Sequence, residues 1–133
     1  MGTVVYLAGT MAGKSRKEMS EWRYDVQCKF NKVGIGVINP VMYSDVNNVA
    51  LYDKRNILNS DYVLALVTEI SAGTMMELLW AYHNNKRIVV VRTCESSTWI
   101  DLHSDKIVSS LKEGVDWVIN DVKSRRIGGS IYG

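Results

Sequence analysis

The sequence predicts an α/β protein, a mostly parallel sheet with helices on both faces. Two observations carry this. Four runs rich in β-branched residues (3–8, 35–39, 62–67 and 86–92) are apolar through their centres rather than alternating, as strands covered on both faces are. Between them lie segments whose apolar residues recur three or four apart, the mark of helices packed along one side. Right-handed crossovers then favour a flavodoxin-like (Rossmann-like) sheet of four to five strands, ordered 2-1-3-4 with any fifth strand beside the fourth.

Each element has a local reason. Residues 3–8 (Thr-Val-Val-Tyr-Leu-Ala) are β-branched and aromatic, and the glycines at 9 and 13 turn the chain. Residues 14–33 follow as a helix with Met19, Trp22, Val26, Phe30 and Val33 inward, broken by Gly34. The strand at 35–39 ends on Pro40, the single proline of the chain. Residues 41–48 are polar and irregular, with Tyr43, Ser44 and Asp45, and suit a flap beside a site. A helix at 49–59 leads to the strand at 62–67, and a helix at 74–84 follows with Met75, Leu78, Leu79 and Tyr82 as its stripe. The fourth strand, 86–92, centres on Ile88-Val89-Val90-Val91. Residues 93–104 read as a loop, and 105–123 as a helix with Ile107, Leu111, Val115, Val118 and Val122 inward. The tail at 124–133 holds Arg125, Arg126 and three glycines and is expected to be loose unless a partner holds it.

Bulk properties exclude several functions. A length of 133 residues suits one domain, and 47% hydrophobic with 23% charged residues suits a soluble core-forming chain. A net charge of +2, with aromatic residues scattered rather than interleaved with a basic stripe, argues against nucleic acid as partner. No apolar run approaches the ~20 residues a bilayer demands, and the first residues lack the basic region of a signal peptide. Cys28 and Cys94 lie far apart, as reduced thiols do in a cytoplasmic protein. His83 and His103 have no cysteine or glutamate at ligand spacing, so neither metal nor cofactor is expected, and both fit a surface or interface.

Open α/β sheets bind ligands at the carboxyl ends of their strands, where the strand order reverses. Here that point lies between the first and third strands. Gly9-Thr10, residues 69–73 and the loop after Arg92 converge on it. The stretch Ser71-Ala-Gly-Thr-Met-Met-Glu77 puts one carboxylate a turn into the helix, among apolar neighbours. Glu77 is then either a complement to the helix dipole or a reactive group.

Three constellations could carry chemistry. Ala8-Gly-Thr-Met-Ala-Gly-Lys-Ser15 nearly fits the phosphate-binding loop G-x-x-x-x-G-K-[ST], with alanine at the leading glycine. No later strand ends in the aspartate that would hold magnesium, so the milder inference is an anion near Thr10, Lys14 and Ser15. The second is Asp53 with Glu77, two carboxylates from adjoining βα units. Such a pair can cleave a glycosidic bond, one attacking the anomeric carbon and the other handling the leaving group's proton. The simpler reading of Asp53 is a solvated partner for Lys54 or Arg55. The third is Tyr6, either core or a hydroxyl that holds a carboxylate over the sheet edge.

Over residues 4–91 the chain resembles the nucleoside 2-deoxyribosyltransferase superfamily. The resemblance rests on Tyr6-Leu-Ala-Gly-Thr10, Asp53-x-x-x-Ile57-x-x-Ser60-Asp61, Ser71-x-Gly73-x-x-x-Glu77-Leu78-x-x-Ala81 and Lys86. The 24-residue step from Asp53 to Glu77 is similar to that of the branch hydrolysing deoxynucleoside 5'-monophosphates. It implies Glu77 as nucleophile on C1', Asp53 as proton donor to the departing base or as its assistant through water, and Tyr6 as the group orienting Glu77. It implies a small-molecule substrate against Gly9, Thr10, Met11, Ser71, Gly73 and Met76. Transferases of free nucleosides carry an aspartate where Ser71 stands, and an aspartate there would repel a 5'-phosphate. Ala12 stands where some nucleotide hydrolases carry arginine, leaving Lys14, Arg92 or a neighbouring subunit to supply any cation. A homodimer or larger assembly with shared sites is also implied, with Ser104 or His103 as the residue lent by the partner. Base exchange between nucleosides, and a non-catalytic nucleotide-binding module using the same crevice, remain as alternatives.

Overall fold

The computed structural model describes residues 2–11, 13–43 and 48–132, with side chains to residue 126. Five strands form one sheet: β1 (Val4–Gly9), β2 (Gly36–Ile38), β3 (Tyr62–Val67), β4 (Arg87–Arg92) and β5 (Lys106–Val108). Their order is β2-β1-β3-β4-β5, and every pairing is parallel, as expected from the sequence. The helices are α1 (Arg16–Lys32), α2 (Val49–Leu58), α3 (Ala72–His83), the short α4 (Thr98–Leu102) and α5 (Leu111–Tyr132), with a 3-10 turn at Pro40–Tyr43.

The sheet divides the core in two. On one face Val5, Leu7, Leu64, Val89 and Val91 meet Val26 and Phe30 of α1 and Val115, Val118 and Val122 of α5. On the other, Tyr6, Ala8, Val63, Ala65 and Val90 meet Ile57 of α2, Leu78 and Ala81 of α3, and Ile100 of α4. Strands enclosed in this way need apolar side chains at every position, which is why they were visible as unbroken runs.

Several boundaries depart from expectation. Residues 105–123 are not one helix, because 106–108 form β5 and α5 starts only at Leu111. The four-residue step from Ile107 to Leu111 mimics a helical face. The missed signal is Ser110-x-x-Glu113, whose serine accepts from Glu113 N at 3.2 Å and so caps α5. The helix also continues past Lys123 to Tyr132. Within the expected loop, Ser97 begins the single turn of α4, which buries Ile100. Val33 is the C-cap of α1 and exposed rather than inward. Of the expected flap at 41–48, Val41 is buried within the 3-10 turn that Pro40 begins, while Ser44 and Asp45 lie outside the described residues, as does Ala12.

Several residues of the family-like pattern build the fold. Asp61 accepts from Val4 N at 2.9 Å, and Ser60 donates to Ile57 O at 2.7 Å. Lys86 donates to Leu58 O at 2.9 Å, tying the end of α2 to the start of β4. No helix among the described residues is long and apolar enough to cross a membrane.

Candidate active site

Helix α3 begins at Ala72, two residues before the expected start, with Ser71 as N-cap. Glu77 therefore sits in the second turn, and the first turn holds no acid. That removes the dipole-complement reading, since the effect fades beyond one turn. Instead, the Tyr6 hydroxyl, fully buried in mid-β1, donates to Glu77 Oε2 across 71 residues of chain.

Around this pair lies a cleft of about 790 Å³ at the carboxyl edge of β1, running between α2 and α3. Its lining includes Gly9, Thr10, Met11, Asp53, Ser71, Gly73, Met76 and Glu77, bringing together every expected site residue except Tyr6 and Ser104. Tyr6 reaches the cleft through Glu77. Ser104 precedes β5 by two residues and lies with Tyr82, Arg87 and His103 around a separate small hollow, where its hydroxyl donates to Ile100 O at 2.5 Å. His103 is buried, not a surface residue, and contacts Trp99 O through Nδ1 at 2.7 Å. Met76 is 64% exposed, at the rim of the cleft, so it does not wall Glu77 from water, whereas Leu78 is buried in the core.

Asp53, in the middle of α2, faces the same cleft. It accepts from the Tyr43 hydroxyl at 2.9 Å. The neighbours expected to pair with it turn elsewhere: the Lys54 ammonium lies 4.2 Å from the Trp80 ring centre and the Arg55 guanidinium 5.7 Å from that of Tyr52. Trp80 Nε1 also donates to Lys54 O at 3.1 Å, which clasps α2 to α3 at the outer end of the cleft.

At the inner end, the Thr10 hydroxyl donates to Ser71 Oγ at 3.1 Å and Ser71 to Thr74 Oγ1 at 3.0 Å. Three hydroxyls thus gather at the start of α3, where backbone N–H groups favour an anion or a polar oxygen. The cations expected to assist are engaged. Lys14 pairs with Glu69 at 3.0 Å and Arg92 with Asp101 at 3.3 Å. Ser15 caps α1, accepting from Glu18 N at 3.1 Å. Lys14 and Ser15 are therefore not turned to the cleft as a phosphate-binding loop requires.

Protonation follows from these surroundings. Burial pushes Glu77 up to about 7; the Tyr6 hydrogen bond pulls it down, Asp53 repulsion adds to the rise, and Arg23 opposes it. Burial also raises Asp53, against hydrogen bonds from Tyr43 and Tyr6 and the Arg23 charge. Burial, then the charge of Glu77, holds the Tyr6 phenol far above its ordinary value, so it remains a donor at any working pH. The arrangement suits a carboxylate that attacks and a second that shuttles a proton.

Sequence reasoning missed Arg23. Its position completes a 19-23-26-30 spacing with Met19, Val26 and Phe30, which was the available signal, and it is fully buried. Among the described residues no group of three or more His, Cys, Asp and Glu side chains is placed to hold a metal ion.

The fold is shared with solved nucleoside 2-deoxyribosyltransferases and with a solved N-glycosidase, all at low sequence identity. It matches a 2-desoxiribosyltransferase from Leishmania mexicana with a TM-score of 0.72 at 12% identity, over 89% of this chain and 97% of that one. A 2-deoxyribosyltransferase from Bacillus psychrosaccharolyticus matches with a TM-score of 0.66 at 16% identity, over 84% and 89%. A CMP N-glycosidase from Clostridium botulinum matches with a TM-score of 0.55 at 20% identity, over 87% and 98%. No protein-family model matches the sequence, and no curated protein matches it either.

Proposed function

We propose that the protein cleaves the N-glycosidic bond of a (2'-deoxy)nucleoside 5'-monophosphate by double displacement, releasing free base and sugar 5-phosphate. The observation that carries this reading is the Tyr6–Glu77 hydrogen bond, formed in the cleft that Asp53 also faces. A Glu77 oxygen attacks C1' as the C1'–N bond breaks, its electron pair leaving with the base. Protonated Asp53 gives its proton to the departing nitrogen. Water then attacks C1', its proton returns to Asp53, and the ester to Glu77 breaks. The Tyr6 donor fixes one Glu77 oxygen, so that the other is presented to the sugar. The hydroxyls of Thr10, Ser71 and Thr74 at the helix start would receive the 5'-phosphate, with no carboxylate among them to repel it.

Transfer of the deoxyribosyl group between bases is a second reading, and one observation favours it. Lys14 and Arg92, the cations expected to assist a phosphate, are paired with Glu69 and Asp101, which suits a neutral 5'-hydroxyl. Incubation with each deoxynucleoside monophosphate, and with a deoxynucleoside plus a second base, separates the two. Free base and 2-deoxyribose 5-phosphate are expected from the first. Exchange on nucleosides alone would replace hydrolysis with transfer. Tight nucleotide binding without base release, unaffected by Glu77→Gln, would leave only a binding module.

A further inference from the structure

We propose that Arg23, on the opposite face of the sheet from the cleft, is a positioning residue for Glu77, clamping the end of β1 and supplying the positive charge that balances the buried carboxylate. Arg23 projects from α1 into the interior and is 0% exposed. Nη2 donates to Gly9 O at 3.0 Å, Nη1 to Met19 O at 2.9 Å and Nε to Leu7 O at 3.4 Å, and the guanidinium carbon lies 4.5 Å from the Trp22 ring centre. Two of these acceptors flank Ala8, so the guanidinium grips the last residues of the strand that carries Tyr6 and leads into Thr10.

Gly9 makes the approach possible. A Cβ there would lie 3.2 Å from Arg23 Nη2 and 2.9 Å from Trp22 Cζ2. Gly9 also lines the cleft. The charge therefore sits one peptide layer behind the site. The carbonyls and the Trp22 ring face the cation without a formal negative charge, and among the described residues it forms no ion pair. A buried cation without a counter-charge is costly. The acids of its own helix point outward: Asp25 pairs with Lys29, Glu21 with Lys17, and Glu18 caps the helix. Beyond them, the ionisable groups interacting with Arg23 are Glu77 and Asp53, with the phenols of Tyr6 and Tyr43. Among the described residues Glu77 likewise forms no ion pair, and the ionisable groups acting on it are Tyr6, Asp53 and Arg23. The two charges balance each other through the strand end.

The effect on turnover rests on the nucleophilic reading of Glu77, but the titration below does not, so either can fail alone. The test follows the Glu77 carboxyl by ¹³C NMR in the full chain. Arg23→Met should raise its midpoint by up to roughly one pH unit, about a fivefold loss of ionised form at pH 7, and Arg23→Lys should restore it to within a few tenths. On a deoxynucleotide the acidic limb of kcat/KM should move in step, with KM nearly constant. An unmoved midpoint in folded Arg23→Met overturns the proposal. If that variant does not fold, Arg23→Gln, which can still donate to Gly9 O, carries the same expectation. Failure of both to fold, or a lysine variant that folds without restoring the midpoint, would leave Arg23 a purely structural residue and sink the idea.

Discussion

The Tyr43 phenol donates to Asp53 Oδ1 at 2.9 Å, linking the turn after β2 to the carboxylate in the middle of α2. Tyr43 thereby holds Asp53 in one orientation and favours its ionised form. Tyr43→Phe should keep the fold, lower kcat roughly tenfold through misplacement of the acid, and shift the basic limb of the pH profile upward. Steady-state kinetics across pH 5–10 would check this; a downward basic limb would remove Asp53 from the role of proton donor.

Glu77 must be ionised to attack, and burial sets it at about 7. The acidic limb of kcat/KM is therefore expected near pH 7, with a fall of about tenfold per unit below it. Tyr6→Phe deletes the hydrogen bond that lowers Glu77, so the limb should rise by roughly one unit and the rate at neutrality drop by about 10- to 100-fold.

Stability should show the opposite preference. The folded protein holds the Glu77 proton up to about 7 against an ordinary 4.5, so folding stability falls as pH rises through that window. The loss comes to about 3 kcal/mol at most. Glu77→Gln escapes it and keeps an acceptor for Tyr6. Urea denaturation should find the variant inactive, yet more stable than the parent by about 2 kcal/mol at pH 8 and equal to it near pH 4.

Far from the cleft, Asp121 is pushed up by burial, but hydrogen bonds from Arg87 at 2.8 Å, Tyr62 at 2.5 Å and Arg125 at 2.9 Å outweigh this and hold it at about 2. Its contribution is full above the ordinary aspartate range and disappears as pH falls through about 2. Asp121→Asn should cost about 2 kcal/mol at pH 7 and almost nothing at pH 2, with activity per folded molecule unchanged.

The parallel strands were legible because each is covered on both sides and so is apolar in an unbroken run. β5 was not, since three residues are too few to show a period and Ile107 falls in step with Leu111. Asp53 and Glu77 were legible as carboxylates at the right edge of the sheet. Their partners were less so. Tyr43 meets Asp53 only through the turn that follows Pro40, and Arg23 looked like any helix-surface cation until its carbonyl contacts placed it inside. Short-range patterns reveal elements; a contact through the thickness of a sheet leaves almost no local trace.

Neighbouring residues of β1 look in opposite directions, Val5 and Leu7 toward α1 and α5, Tyr6 and Ala8 toward α2 and α3. A slip of one position would bury the Tyr6 phenol among aliphatic side chains and turn leucine toward Glu77. The chain could not misalign this strand and keep either a sound interior or a working cleft. Selection for a well-folded molecule and selection for chemistry therefore act here as one pressure, on the same six residues.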